Sequence, residues 1–207
     1  MEAISDLAGL YITHLHSDHI GSILSFFSYN VSKMFIVGPK GIKALYDLMQ
    51  TFYPLDDTNI IEVEEDTDLP VLFKSELNIK VKAFSVPHTV TCFGYLFDYD
   101  KGNDQHQKVV IMGDTDGGRD LSFLGKCNVL LHECTYLDFK NPQYKHSYCE
   151  VAARAANQVH ADALLLTHFS VRYKTSHDFS EIFHKTIKFT RSRVTILNDF
   201  QPFYLNP

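Results

Sequence analysis

The chain has 207 residues, with 19 Lys and Arg against 25 Asp and Glu, giving a formal net charge of −6. That length suits one domain with a sizeable core, and the modest acidity excludes a protein that coats polyanions over its whole surface. No apolar run reaches membrane-spanning length and no basic-then-apolar targeting pattern opens the chain, so a soluble, intracellular, cytoplasmic protein with no membrane partner is expected.

Leu10-Tyr11-Ile12 reads as a short apolar strand, and Thr13-His14-Leu15-His16-Ser17-Asp18-His19 follows it directly. Imidazole and carboxylate together suit Zn²⁺ and its neighbours, and a cluster this dense exceeds what ion pairing needs. The stretch reads as the floor of a two-metal hydrolase site. Ile20 to Ser28 reads as a short helix, and Lys33 to Val37 as a strand stopped by Gly38-Pro39. Pro39 suits the first turn of a second helix, with Ile42, Leu45, Met49 and Phe52 on one apolar face before Pro54 ends it. The Gly38-Pro39-Lys40-Gly41 turn is a common kind of helix start and only a weak sign of a phosphate site.

Beyond the acidic stretch Glu62 to Asp68, Ile79, Val81 and Ala83 alternate with Lys80 and Lys82 as in a half-buried strand. Phe93 to Tyr99 is another strand and Asp100 to Gln107 a polar connection. Val109 to Met112 and Val129 to Leu131 are continuous apolar runs, the pattern of covered strands. Cys149 to Val159 reads as a helix with Val151, Ala152, Ala155 and Ala156 on one side. Ala163 to Leu166 is a strand, Asp178 to Thr190 a helix and Val194 to Leu197 a closing strand. Such alternation predicts an α/β fold with helices over the sheet faces. Cys92, Cys127, Cys134 and Cys149 form no CxxC pair, which fits isolated thiols in a reducing compartment.

Further chemistry sits just past strand ends, where a rigid sheet carries loops. His88 follows Ser85-Val86-Pro87, and Asp114 lies in Met112-Gly113-Asp114-Thr115. Glu133 lies in His132-Glu133-Cys134-Thr135-Tyr136, His168 in Leu166-Thr167-His168-Phe169, and His146-Ser147 precedes the alanine-rich helix. Singly each is an ordinary turn or surface residue, and Ser147 suits a helix N-cap. In this order behind HLHSDH, they resemble the metallo-β-lactamase superfamily and more narrowly ribonuclease Z. The narrower resemblance rests on PHTVTCFGY, HECTY, KHS ahead of a helix, and LLLTHFSVRY, and it runs from Tyr11 to about Leu197.

The resemblance implies one α/β domain over residues 1–207, an αββα sandwich whose first sheet lacks N-terminal strands because only Met1 to Gly9 precede the motif strand. It implies two Zn²⁺ per chain, with Mn²⁺ or Fe suiting the same ligands. His14, His16 and His88 would bind the first ion, Asp18, His19 and His168 the second, and Asp114 both. The implied reaction removes 3′ trailers from precursor tRNA by metal-hydroxide attack on a phosphodiester. Asp18, Glu133 and His146 would be catalytic: Asp18 assists the attack, and Glu133 orients His146, which protonates the departing 3′-oxygen. The expected partners are precursor tRNA and a second copy in a homodimer, since a sheet short of strands leaves an open edge.

Three features depart from the family pattern. The N-terminus is short. The segment Asp98 to Gln107 is too short and too acidic to be the basic arm that bacterial-type members carry between the positions of His88 and Asp114. Asp116 stands where arginine usually follows the GDT run, and Tyr148 where threonine usually follows His-Ser. Two other readings therefore stay open: a fold member acting on small or cyclic nucleotide diesters, and a non-catalytic, truncated metal-binding partner. His106, His132, His160, His177 and His184 have no partner spacing and read as structural or exposed. Arg172, Lys174, Lys185, Lys188, Arg191 and Arg193 read as a solvated helix face before an RNA surface.

Overall fold

The computed structural model describes residues 9–23, 35–52, 59–70, 78–100, 102, 105–139, 142–199 and 202–204. Strands β1 (Gly9–Tyr11), β2 (Phe35–Pro39) and β3 (Asn59–Val63) form a parallel sheet in the order β1-β2-β3. Alternation along β2 sends Phe35 and Val37 to one face and Ile36 to the other, where helix α2 (Ile42–Gln50) packs. The single turn α1 (Ser17–Ile20) lies inside the histidine motif itself. It precedes most of the helix expected over 20–28, of which residues 24–28 lie outside the described residues.

Helix α2 starts later than expected. Pro39 is the last residue of β2, opposite Val63, and Gly41 is the N-cap at φ 104°. The amides of Gly41 and Lys43 donate to Glu62 Oε1 at 2.7 and 3.1 Å, so this helix start holds a carboxylate of its own chain in place of a phosphate. Ile42, Tyr46 and Met49 form the buried face, while Phe52 lies past the helix end and is 70% exposed. The expected terminator Pro54 lies outside the described residues, as do Lys33 and Met34.

The second sheet has seven strands in the order β10-β9-β8-β7-β6-β5-β4. These are β4 (Thr67–Leu69), β5 (Asn78–Val86), β6 (Cys92–Asp100), β7 (His106–Ile111), β8 (Val129–Glu133), β9 (Ala163–Thr167) and β10 (Arg193–Ile196). Strands β4 to β7 pair antiparallel and β7 to β10 parallel. Parallel neighbours need crossovers, and helices α3 (Cys149–Gln158) and α4 (Ser176–Thr186) supply two of them. Alanines 152, 153, 155 and 156 are buried on α3, and such short side chains let the helix approach the sheet closely. Phe84, Val110, Leu130, Leu164 and Leu166 pack against α3 and against Ile182 of α4. The opposite face of the sheet packs Val81, Ala83, Phe93 and Tyr95 against Phe35, Val37 and Val63 of the first sheet. The layers are therefore α2, three strands, seven strands, and α3 with α4, the expected αββα order.

Local chemistry moved several boundaries. β3 ends and β4 begins within the acidic stretch, where charged residues on the exposed face hide the alternation. β7 reaches back to His106, inside the expected polar connection, because Asp100 pairs with His106. Helix α4 starts at Ser176 because Thr175 and Asp178 form a capping box: Asp178 is the third helical residue, and its Oδ2 accepts from Thr175 N at 2.9 Å. The helix ends at Thr186, not Thr190. Among the described residues no helix is long and apolar enough to cross a membrane, and all four cysteines are free and buried.

The rim of the second sheet is clamped by one ion pair. Arg119 binds both carboxylate oxygens of Asp66 and donates to Ser85 O at 2.6 Å and Oγ at 2.7 Å, with its guanidinium 4.7 Å from the centre of the Phe123 ring. The hydrogen bonds from Arg119 outweigh burial and hold the Asp66 carboxyl down at about 2. A carboxyl depressed in the folded state stabilises fully above its unfolded value and loses that contribution as pH falls through the folded one. Asp66→Asn should therefore cost about 1 kcal/mol in urea unfolding at neutral pH. The gap to wild type should close as pH is lowered from about 4 towards 2; a gap independent of pH would contradict this.

Candidate metal centre

Five strands deliver the candidate residues from their C-terminal ends. β1 leads into Thr13–His19, β5 into His88, β7 into Asp114, β9 into His168, and β8 ends on Glu133. β5 is antiparallel to β6 and β6 to β7, so β5 points the same way as β7, β8 and β9. The first sheet is registered on the second by Phe93 N–H donating to Thr13 O at 2.9 Å and Tyr95 O–H to Ile12 O at 2.7 Å. The Tyr11 ring packs edge-on to Phe35, Tyr95 and Phe97. Gly113 is obligatory at this junction, because a Cβ there would lie 2.5 Å from Cys92 Sγ and 2.7 Å from Phe93 O.

The seven sequence-predicted ligands fall into two sets that share one carboxylate. In the first, His14 Nε2 is 3.1 Å from His16 Nδ1, which is 3.3 Å from His88 Nε2. A tetrahedral zinc with bonds of about 2.0–2.1 Å sets its ligand nitrogens about 3.3–3.4 Å apart, so the spacing fits a zinc-sized cation. In the second, Asp18 Oδ2 lies 3.6 Å from His19 Nε2 and 3.5 Å from His168 Nε2. Asp114 Oδ2 sits between the sets, 3.3 Å from His19, 3.4 Å from His168, 3.7 Å from His14 and 4.0 Å from His88. Nitrogen and oxygen donors without sulfur suit Zn²⁺, Mn²⁺ or Fe.

Electrostatics prepare these groups to bind a cation. Burial works against ionising Asp114, yet the hydrogen bond from His19 and the neighbouring imidazoles hold its carboxyl at about 2. Burial also opposes the Asp18 carboxylate, but its own amide, His19 and His168 keep it below the usual range. Burial, with His19 alongside, pushes His14 down to about 4, and burial lowers His88 too, so both present neutral imidazoles. The hydrogen bond to Asp114 raises His19.

The ring nitrogens facing away from the centre have partners that fix their tautomers. His88 Nδ1–H donates to the Lys145 carbonyl at 3.0 Å, which leaves its Nε2 lone pair inward. His168 Nδ1 lies 3.0 Å from Thr135 Oγ, and Thr135 Oγ lies 2.6 Å from Glu133 Oε2. A hydroxyl has one proton, and the short contact to a carboxylate claims it, so Oγ accepts from His168 Nδ1–H. Glu133 is buried; its Oε1 accepts from Thr115 N–H at 2.7 Å and from His146 Nδ1–H at 3.0 Å. That hydrogen bond raises the His146 pKa, and His146 Nδ1 lies 3.8 Å from Asp114 Oδ2. Of the three predicted catalytic groups, Asp18 lies in the second ligand set, and His146, held by Glu133, borders the sets at Asp114.

Some contributors were silent in the sequence. Thr135, the Thr115 amide and the Lys145 carbonyl act through contacts that only the fold brings about; the one linear hint is a hydroxyl two residues after Glu133. Ser147 is not a cap: Tyr148 is the N-cap of α3, and Ser147 Oγ–H donates to Thr115 O at 2.6 Å. His132 is buried and kept neutral, its Nδ1–H donating to Glu133 O at 2.7 Å, in keeping with a structural role. The late basic residues have different neighbours. Lys185 pairs with Asp138, Arg193 lies over Phe203, and Lys188 and Arg191 line a cleft of about 680 Å³ with His160. Arg172 borders the centre, 5.3 Å above the Tyr136 ring, which is itself 6.4 Å from His146.

Removing the hydroxyl with Thr135→Val should free His168 to rotate and weaken binding of one of two cations by about 10–100-fold. Zinc retained after dialysis against graded chelator measures this; equal loss of both ions, or of neither, would contradict it.

Comparison with known proteins places these observations in a family. The Beta-lactamase superfamily domain matches residues 1–169. Ribonuclease Z of Halalkalibacterium halodurans is 26% identical over an alignment of 260 positions, covering 98% of this chain and 82% of that protein. The alignment exceeds 207 residues, so the relative carries insertions that this chain lacks. Ribonuclease Z of Bacillus subtilis is 29% identical, over 80% of this chain and 71% of its own. Among solved structures, the metallo-beta-lactamase fold protein YhfI from Bacillus subtilis superposes with a TM-score of 0.72 at 21% identity, over 94% of this chain and 76% of its own. The short form of human tRNase Z gives 0.71 at 22% identity, over 99% of this chain and 81% of its own. At those identities the two structures speak for the fold alone.

Proposed function

The chain belongs to the beta-lactamase superfamily and is a metal-dependent hydrolase, and from this we propose that it is a zinc endoribonuclease of the ribonuclease Z type, removing 3′ trailers from precursor tRNA. The observation that carries the reading is the Glu133–His146 pair, 3.0 Å apart and beside the carboxylate shared by two ligand sets. A bare metal site would need no such pair, whereas an RNA leaving group needs a proton.

His14, His16, His88 and Asp114 would hold one zinc, and Asp18, His19, His168 and Asp114 the other. Two such ions, when bound, supply Lewis-acid stabilisation of the phosphodiester and an activated water at neutral pH. Asp18, ionised and 63% exposed at its side chain, is placed to take a proton from the attacking water. As the new phosphorus–oxygen bond forms, the bond to the 3′-oxygen breaks. His146 gives that oxygen its Nε2 proton while Nδ1–H stays on Glu133. The RNA keeps a 3′-hydroxyl and the trailer carries a 5′-phosphate.

Exposed apolar side chains lie close in the chain to residues of this centre: Phe139 and Tyr144 on the segment before His146, and Val171 next to Arg172. Aromatic and guanidinium faces of this kind stack unpaired bases, the usual mode of reading single-stranded RNA. The dimer belongs to the same proposal. Among the described residues β1 is one of the two outer strands of the first sheet, an edge that a second copy would cover.

His146→Ala should keep its zinc and slow cleavage of precursor tRNA by about 10²–10⁴-fold. Wild-type cleavage should fall steeply with salt, as backbone recognition requires. A wild-type chain that hydrolyses bis(p-nitrophenyl) phosphate but leaves precursor tRNA intact would replace this reading with that of a small-diester phosphodiesterase. The short β6–β7 connection, closed at Asp100 and His106, favours that alternative.

A further inference from the structure

His88 reaches the centre from a loop held by a closed circuit of contacts. Its Nδ1–H donates to the Lys145 carbonyl at 3.0 Å. The Lys145 ammonium donates to Asp116 Oδ2 at 2.7 Å. The Asp116 amide donates back to Pro87 O at 3.2 Å, and Pro87 is the residue before His88. The second carboxylate oxygen of Asp116 accepts from Gly118 N–H at 2.9 Å, which pins the turn. Gly117 lies in that turn at φ 74°, and a Cβ there would meet Val151 Cγ1 of α3 at 2.1 Å, so the turn rests on the helix.

Lys145 is strained within this circuit. Its φ is 51°, a left-handed conformation that is unfavourable for a non-glycine residue and persists only where the surroundings impose it. The conformation is what aims its carbonyl at His88, and the tether on its side chain is Asp116. The carboxylate and Lys145 thus make a matched pair in this chain.

We propose that the Asp116–Lys145 ion pair is a positioning device for His88, and that it sets the affinity of the cation site built from His14, His16 and His88. With the tether cut, Lys145 relaxes out of the left-handed region and its carbonyl leaves His88. The imidazole then samples both tautomers and other rotamers before any cation arrives. The two side chains are 27% and 43% exposed, so the pair itself adds little to global stability. A positioning role predicts a loss of metal affinity at nearly unchanged folding stability, whereas a merely structural role predicts the reverse. The inference rests on the two-cation reading of the site and not on the identity of the substrate.

The test is competition between the purified full chain and a chromophoric zinc chelator, with thermal melting of the zinc-free protein alongside. Asp116→Asn keeps the acceptor for Gly118 but loses the charge, and Lys145→Met cuts the same pair from the other side. Each should weaken one of two zinc ions by about 10–100-fold. The double variant should be no weaker than either single one, because both act through one contact. Lys145→Arg, which keeps the cation, should restore wild-type affinity. Nitrogen-15 spectra of the histidines should show His88 Nδ1–H lost in Asp116→Asn. Unchanged zinc affinity in both single variants, or losses that multiply in the double one, would overturn the proposal. A wild-type chain that binds no zinc would overturn it together with the two-cation reading. RNA cleavage is not the readout, so failure of the tRNA reading is seen separately.

Discussion

Everything at this centre depends on one buried oxygen. Asp114 Oδ2 has five imidazole nitrogens within 4.0 Å, four contributed by β1, β5 and β9 through their trailing loops and the fifth by His146. An ionised carboxylate in so enclosed a place is expensive unless positive charge meets it. His19 meets it in part, and two cations would meet it in full. The same demand explains why the histidines converge: neutral nitrogens 3.1–3.3 Å apart cannot all satisfy one another by hydrogen bonds, since neighbouring rings would present lone pair to lone pair.

The sandwich serves that oxygen by bringing five strand ends to one edge. Asp114 follows β7 in the middle of the seven-strand sheet, with His88 arriving from β5 on one side and Glu133 and His168 from β8 and β9 on the other. The first sheet contributes the remaining candidate ligands from β1, held in register by the aromatic contacts of Tyr11 and the hydroxyl of Tyr95. Around this lies a second tier of polar contacts. Thr135 links Glu133 to His168, Glu133 holds His146, and the Lys145 carbonyl holds His88. One carboxylate, Glu133, thus orients both a candidate ligand and the candidate proton donor.

The candidate ligands are legible because the motif strand and its successors place imidazole and carboxylate at recognisable positions after apolar runs. The αββα order followed from the resemblance those residues carry. Contacts closed by the fold were not legible. Nothing in the linear order marks Thr135 as the partner of His168, or Lys145 as strained. Nor does it show Ser147 bonding Thr115 O instead of capping α3. Boundaries failed where a residue type has two uses. Pro39 closes a strand as readily as it opens a helix, and Asp178 caps from the third helical position, not the first. Charged residues on the open face of β3 and β4 conceal two strands, one ending and one beginning within the acidic stretch.

Anomalous diffraction at the zinc edge, from crystals grown with added zinc, tests the central claim most directly. Two peaks about 3.5–4 Å apart should appear, one on either side of Asp114 Oδ2. A single peak, or none among these seven side chains, would contradict the account.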